Sequence, residues 1–101
     1  MPEIIDRYLQ LATGEDYAGM AACFTPDATV SDDGHTYHGR DEIRAWREKL
    51  AAAFDYTVRV LRTEGQYRVT ALVEGDFPGS PVELTYEFRV RDGLISELVI
   101  G

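Results

Sequence analysis

The stretch that decides the fold is residues 24–32, FTPDATVSD, where a helical pattern of apolar residues gives way to strand alternation. Pro26 ends the helical pattern, because its ring does not fit the interior of a helix. From there the side chains alternate between two faces, and Ala28, Val30 and Asp32 share one of them. We therefore predict a strand from Ala28 to Asp32 that points an aspartate into the interior beside apolar residues.

Two amphipathic helices are predicted before this strand. The apolar side of the first consists of Ile4, Ile5, Tyr8, Leu9, Leu11 and Ala12. The second has Asp16 as its cap, and its apolar side consists of Tyr17, Met20, Ala21 and Phe24. Tyr8 and Asp32 would thus point into one interior. Burying a phenol and an acid without partners is unfavourable, so a fold that keeps both favours a cavity and a small-molecule site.

The segment after the strand predicts a turn and a third helix. Gly34 marks the turn, and His35 to His38 form a short extended piece. Gly39-Arg40-Asp41 then leads into the helix, where early acidic residues suit the helix dipole. The buried stripe of this helix is predicted to be Ile43, Trp46, Leu50 and Phe54.

From Tyr56 onward the apolar pattern changes to a period of two. It predicts four strands, at Tyr56–Arg62, Gln66–Glu74, Pro81–Arg91 and Leu94–Ile100. Asp92-Gly93 is the clearest signal of a hairpin turn between two of them. Helices first and strands last indicate an α+β fold with an antiparallel meander.

The third of these strands shows which face meets the helices. Its apolar set is Val82, Leu84, Tyr86, Phe88 and Val90, so Tyr86 becomes a third polar side chain aimed at the interior. The opposite sheet face carries Leu61, Leu72, Ile95 and Val99 among charged residues. A mixed face of this kind commonly packs on a second copy, so we expect a homodimer through the sheet face.

Composition limits the possible partners. The 101 residues, 45% hydrophobic and 28% charged, fit one domain, residues 1–101. A net charge of -8 repels phosphate backbones, so we do not expect nucleic acid as a partner. The sequence shows neither a signal peptide nor an apolar run near the roughly 18 residues of a membrane span, so we expect a cytoplasmic protein without membrane contact. Cys23 is the only cysteine and is expected in the core.

Several segments together resemble a known superfamily. They are Arg7-Tyr8-Leu9, Gly14-Glu15-Asp16, residues 24–32, Gly39-Arg40-Asp41-Glu42-Ile43 and Tyr86-Glu87-Phe88-Arg89-Val90. The chain is similar over nearly its whole length to the nuclear transport factor 2-like superfamily, in its ketosteroid isomerase and SnoaL-like polyketide cyclase branch. This resemblance implies three N-terminal helices packed on a strongly curved antiparallel sheet, a cystatin-like cone with a central cavity.

The resemblance also implies roles for three residues. Tyr8 matches the isomerase tyrosine that donates a hydrogen bond to the substrate carbonyl oxygen, and Asp32 matches the aspartate that moves the proton. Tyr86 stands where those isomerases have a second, protonated aspartate as donor. A phenol is protonated at neutral pH and can also donate. The predicted chemistry is proton transfer next to a carbonyl, with no metal or cofactor.

Four aromatic residues are expected to line the ligand cavity: Phe24, Trp46, Phe54 and Phe88. His35 and His38 could lie at the cavity mouth or bind a metal, but a solvent-facing loop pair is the simpler interpretation.

Structural roles compete with these functional ones. Tyr8 could be a core aromatic residue whose hydroxyl bonds a backbone carbonyl, Asp32 could cap the turn before Gly34, and Tyr86 could be an ordinary strand tyrosine. Three classes of function therefore stay open. They are a small enzyme acting on a hydrophobic carbonyl compound, a non-catalytic binder of such a compound, and a dimerisation or accessory module.

Overall fold

Three helices and six strands make up the protein, and the computed structural model describes all residues 1–101. The helices are α1 (Glu3–Leu11), α2 (Tyr17–Ala21) and α3 (Gly39–Ala53). The strands are β1 (Phe24–Asp32), β2 (His35–His38), β3 (Tyr56–Glu64), β4 (Arg68–Gly75), β5 (Val82–Arg91) and β6 (Leu94–Ile100). Each predicted helix and strand is present, which confirms the α+β class. None of the three helices has both the length and the apolarity needed to cross a membrane.

The boundary between α2 and β1 differs from the prediction. Asp16 caps α2 as expected, since its side chain accepts a hydrogen bond from the backbone N–H of Gly19 at 2.9 Å. The helix ends at Ala21, however, and Phe24 belongs to β1 rather than to the helix. Pairing with β6 draws this segment into the sheet, because Ile95 donates its backbone N–H to the carbonyl of Cys23 at 2.8 Å.

The six strands form one sheet in the order β2-β1-β6-β5-β4-β3. The predicted antiparallel meander is confirmed for β3 to β6. The pairing of β1 with β6 is parallel, so the sheet is mixed and not antiparallel throughout as predicted. The long stretch of chain between these two strands permits the parallel direction, which a hairpin would not. The sheet is not closed, because β2 and β3 are its free edges.

A β-bulge corrects the predicted position of Ile95. The β5–β6 pairing steps from Arg89–Glu97 to Val90–Ile95, so Ser96 is an extra residue in β6. An extra residue reverses which face the following side chains occupy. Ile95 is therefore fully buried in the core instead of lying on the outer face. Val99 is exposed on that outer face, Leu61 is exposed at a bulge of β3, and pairing of this face with a second copy stays a prediction.

The core lies between the helices and the inner face of the sheet. It is a cluster of 17 buried residues that includes Ile5 of α1, Ile43 of α3 and Leu98 of β6. The inner face is longer than the helices cover, and the part beyond the core forms the pocket described below.

We predict that Gly75→Ala destabilises the fold by about 1–3 kcal/mol, because the added methyl group has no space. Gly75 pairs with Tyr56 across β3 and β4, and a Cβ there would lie 2.7 Å from the Cα of Tyr56 and overlap the carbonyl oxygen of Asp55. Chemical denaturation measures the change in the free energy of unfolding. Gly14→Ala is the matched control, since its Cβ would meet only the Leu11 oxygen at 3.9 Å. Equal effects of the two substitutions would contradict the prediction.

Candidate functional site

A pocket of about 600 Å³ opens on the inner face of the sheet, and 13 of its 18 lining residues are hydrophobic. Its wall is contributed by α1, α3, the end of β1 and the turn after it, the start of β3, the loop after β4, and parts of β4, β5 and β6. A volume in this range suits a drug-sized organic molecule. An apolar wall of this kind favours ligands that bury a carbon skeleton.

Strand pairing places Asp32 and Tyr86 at the same level of the pocket. Asp32 of β1 pairs with Ile100 of β6, and Ile100 pairs with Tyr86 of β5. All three line the pocket, with Ile100 between the two polar side chains. Since neighbouring strands are about 4.8 Å apart, the two backbones are separated by roughly 10 Å, a gap that an organic ligand can bridge.

Asp32 is half-buried at the end of β1 and is held by one hydrogen bond. Trp46 Nε1 donates to Asp32 Oδ2 at 3.0 Å, and Oδ1 has no hydrogen-bond partner in the protein. No backbone N–H of the turn before Gly34 donates to it, so the capping role is not observed. Burial raises the pKa of the Asp32 carboxyl, although the Trp46 hydrogen bond acts in the opposite direction. A carboxylate with a free oxygen and raised basicity can accept a proton.

Tyr8 reaches the pocket from α1. Its ring is 2% exposed and packs edge-on against Phe24 and Phe88, with ring centroids 5.5 and 5.8 Å apart. Its hydroxyl makes no hydrogen bond within the protein, so the predicted alternative of a bonded backbone carbonyl is not observed. Burial first, and then the nearby Tyr86 hydroxyl, raise the pKa of Tyr8 well above its ordinary value. The phenol is therefore a protonated donor without an acceptor.

Tyr86 presents a second phenol to the pocket from β5. It is 5% exposed, stacks on Phe88 at 6.5 Å between ring centroids, and has no hydrogen-bond partner in the protein. Burial raises the pKa of Tyr86, and charges on Tyr56 and Asp32 raise it further. Both phenols thus keep their protons at neutral pH and line the same pocket.

The four predicted aromatic wall residues divide into two pairs. Trp46 and Phe54 line the pocket as expected. Phe24 and Phe88 do not line it, which corrects the prediction for these two residues. They lie in the core and pack against the ring of Tyr8, because β1 and β5 turn them toward α1. The two rings thus contact the Tyr8 ring in the core and help to fix its orientation.

Sequence reasoning missed Tyr56 and Arg47. Tyr56 lines the pocket at the start of β3 and shares the inner face with Val58, a spacing that could have identified it. Arg47 is 5% exposed and lies behind Tyr56. It is four residues after Ile43 and three before Leu50, so it occupies the apolar stripe of α3. A charged residue within an apolar helix stripe was the sequence signal that could have identified Arg47.

The two histidines lie outside the pocket. His35 and His38 are exposed on β2, and neither is among the lining residues. The structure brings together no group of three or more side chains able to hold a metal ion.

Comparisons with known proteins agree on one family and one fold. The family model of the SnoaL-like domain matches residues 5–98. A candidate polyketide cyclase from Sinorhizobium meliloti is 36% identical, with a TM-score of 0.93 over 100% of this chain and 95% of that one. A ketosteroid isomerase-like protein from Catenulispora acidiphila, solved with trimethylamine, is 22% identical, with a TM-score of 0.86 over 100% of this chain and 85% of that one. No protein of curated function matches the chain significantly.

We predict that Asp32→Asn raises the thermal unfolding midpoint at pH 7. Because the pKa of folded Asp32 is raised, folding favours the protonated form, and that stability is lost as pH rises through the raised pKa. Asparagine has no charge to bury and can still accept from Trp46. The gain should therefore disappear in acid, below the ordinary aspartate pKa of about 3.9.

Melting curves from pH 3 to 8 measure this dependence. Asp33→Asn is the comparison, since it removes a charge from an exposed neighbour. Because the Asp33 charge also raises the pKa of Asp32, its gain at pH 7 should be the smaller of the two. A lower midpoint for Asp32→Asn at every pH would show that the carboxylate stabilises the fold.

Proposed function

The chain belongs to the SnoaL-like domain family, and we propose that it binds a hydrophobic small molecule with a carbonyl group and transfers a proton next to that carbonyl. The observation that carries this proposal is one pocket in which an aspartate with a free oxygen faces two phenols without partners. These polar groups open on an apolar pocket, so a bound ligand can pair with them. Their chemistry suits a ligand that offers an acidic C–H bond and an oxygen acceptor.

In the proposed mechanism, Asp32 is the general base. Its Oδ1 oxygen removes the proton from the carbon next to the carbonyl, and the electron pair of the C–H bond moves toward the carbonyl oxygen. Tyr8 and Tyr86 donate hydrogen bonds to that oxygen as it becomes an enolate. A positioned base contributes about 10²–10⁴-fold to such a step, and each oxyanion donor about 3 kcal/mol. Protonated Asp32 can then return the proton to a different carbon.

Three reaction types share this first step. Double-bond migration returns the proton elsewhere, aldol ring closure uses the enolate to attack a second carbonyl, and dehydration expels a hydroxyl group. The 36% identical candidate polyketide cyclase supports ring closure among these types. A hydrophobic ketone or enone is the substrate class common to all three.

We predict that Asp32→Asn lowers turnover of hydrophobic ketones and enones by about 10²–10⁴-fold, because it removes the base. Ligand affinity should be retained, since the apolar wall and both phenols are unchanged. Absorbance of a panel of cyclic ketones and enones follows the reaction, and calorimetry measures binding. Asp33→Asn, which removes a neighbouring charge from the same pocket rim, is the control and should keep most of the turnover.

The panel also separates the functional classes. Binding without turnover by the unaltered protein would favour a non-catalytic binder. An absence of binding across the panel would contradict the proposed ligand class and favour a dimerisation or accessory module. Equal turnover by Asp32→Asn and the unaltered protein would exclude Asp32 as the base.

We predict that Trp46→Phe moves the acid limb of the kcat/KM profile to higher pH. The Trp46 hydrogen bond lowers the pKa of Asp32, so its loss lets burial raise that pKa further. The base is then ionised only at higher pH. A shift of up to about one pH unit corresponds to the net free energy of one hydrogen bond.

The pH profile of Phe54→Leu provides the comparison. Phe54 also lines the pocket but does not bond Asp32, so its substitution should change the height of the profile and not the position of the acid limb. An unmoved acid limb in Trp46→Phe would contradict the proposed control of Asp32.

A further inference from the structure

Arg47 is a buried cation that no acidic side chain neutralises. It is 5% exposed, and none of the ion pairs in the structure includes it. Its Nη2 donates to the carbonyl oxygen of Gly14 at 3.2 Å, and its Nε has no partner. Burying an unpaired charge is strongly unfavourable. The buried Arg47 guanidinium is therefore a candidate for a functional role in addition to its packing.

The remaining hydrogen bond of Arg47 leads to the pocket. Its Nη1 donates to the Tyr56 hydroxyl oxygen at 3.2 Å, and its guanidinium carbon lies 5.4 Å from the centroid of the Tyr56 ring. An arginine can only donate, so the Tyr56 oxygen is the acceptor in this bond. The proton of the Tyr56 hydroxyl is therefore left for another acceptor, and the protein supplies none. Tyr56 itself lines the pocket.

Electrostatics distinguishes Tyr56 from Tyr86. Burial raises the pKa of Tyr56, but the charge of Arg47 and its hydrogen bond oppose that rise. Arg47 also opposes the rise in the pKa of Tyr8, whereas no cation acts on Tyr86. Tyr56 is thus the one phenol of the pocket that a cation contacts directly. Such a phenol is a stronger hydrogen-bond donor toward an oxygen that gains negative charge.

We propose that Tyr56 is a third hydrogen-bond donor to the ligand oxygen, and that buried Arg47 is the positioning residue that aims and polarises its hydroxyl. This inference rests on the proposed function, since it requires a ligand with an oxygen in the pocket. The inference also narrows the ligand class. The expected ligands are apolar ring systems whose oxygen becomes an enolate or phenolate oxygen. A positive charge placed behind the wall stabilises that oxygen through the Tyr56 hydroxyl.

Two aromatic probes test this inference directly. 2-Naphthol carries a hydroxyl that mimics an enolate oxygen, and naphthalene has the same ring system without oxygen. Asp32→Asn is the suitable background, because the Asp32 charge then no longer opposes an ionised probe. Calorimetry gives the affinity of each probe, and absorbance gives the pH at which bound 2-naphthol ionises.

We predict that Tyr56→Phe weakens 2-naphthol binding about tenfold, the effect of one hydrogen bond to a charged group, and leaves naphthalene binding unchanged. The ionisation of bound 2-naphthol should move to higher pH. Tyr67→Phe removes a hydroxyl from an exposed tyrosine and is the matched control, expected to change neither quantity.

Arg47 is tested through its dependence on Tyr56. Arg47→Met should lower 2-naphthol affinity in the presence of Tyr56 and have little further effect in Tyr56→Phe, because the two residues act as one unit. Arg47→Lys keeps the charge and should recover part of the affinity. It also serves as the test if Arg47→Met does not fold, since Arg47→Lys should still weaken 2-naphthol more than naphthalene.

The outcomes separate the two proposals. If neither probe binds the Asp32→Asn protein or the unaltered protein, the ligand pocket and this inference both fail. If 2-naphthol binds but Tyr56→Phe changes both probes equally, or changes neither, Tyr56 is not a donor and the proposed function is unaffected. Independent effects of Arg47 and Tyr56 would overturn the positioning role of Arg47.

Discussion

The parallel pairing of β1 with β6 is the constraint on which the candidate site depends. It sets Asp32 level with Ile100, and the antiparallel β5–β6 pairing sets Ile100 level with Tyr86. Because side chains alternate along a strand, a slip of one residue would turn Asp32 outward. The same slip would expose Val30 and Leu98, which pair with each other and are fully buried. The hydrophobic core therefore fixes the position of the polar site.

Helix α3 supplies the partners of two pocket residues from adjacent positions. Trp46 faces the end of β1 and bonds Asp32, while Arg47 faces the start of β3 and bonds Tyr56. Successive residues of a helix point about 100° apart, so one helix lying along the pocket can reach both walls. A shift of α3 would change the acid and the phenol together. This shared support links the basicity of Asp32 to the orientation of Tyr56.

Local patterns in the sequence predicted most of the fold. The errors arose where pairing between strands that are distant in the chain determines the structure. The buried side of α1, the inward face of β5 and the positions of Ile43 and Trp46 in α3 are set by local periodicity and were predicted correctly, whereas Phe54, predicted in the stripe of α3, lies just after that helix ends. Phe24 fits the apolar side of α2 as well as a buried strand position, and only pairing with β6 decides between them. The bulge at Ser96 and the parallel β1–β6 pairing likewise depend on residues far apart in the chain. The sequence placed Tyr8, Asp32 and Tyr86 at the pocket, but it did not identify Arg47, because arginine is rarely buried.

The hydrogen bond between Trp46 and Asp32 has a practical consequence, because the chain contains a single tryptophan. All indole fluorescence of the protein comes from this one side chain on the pocket wall, and its emission responds to the polarity and charge around the ring. Displacing water from the pocket, or adding a proton to the neighbouring carboxylate, changes those surroundings. The molecule thus carries a built-in optical sensor, so that occupancy and protonation can be followed in solution without a label.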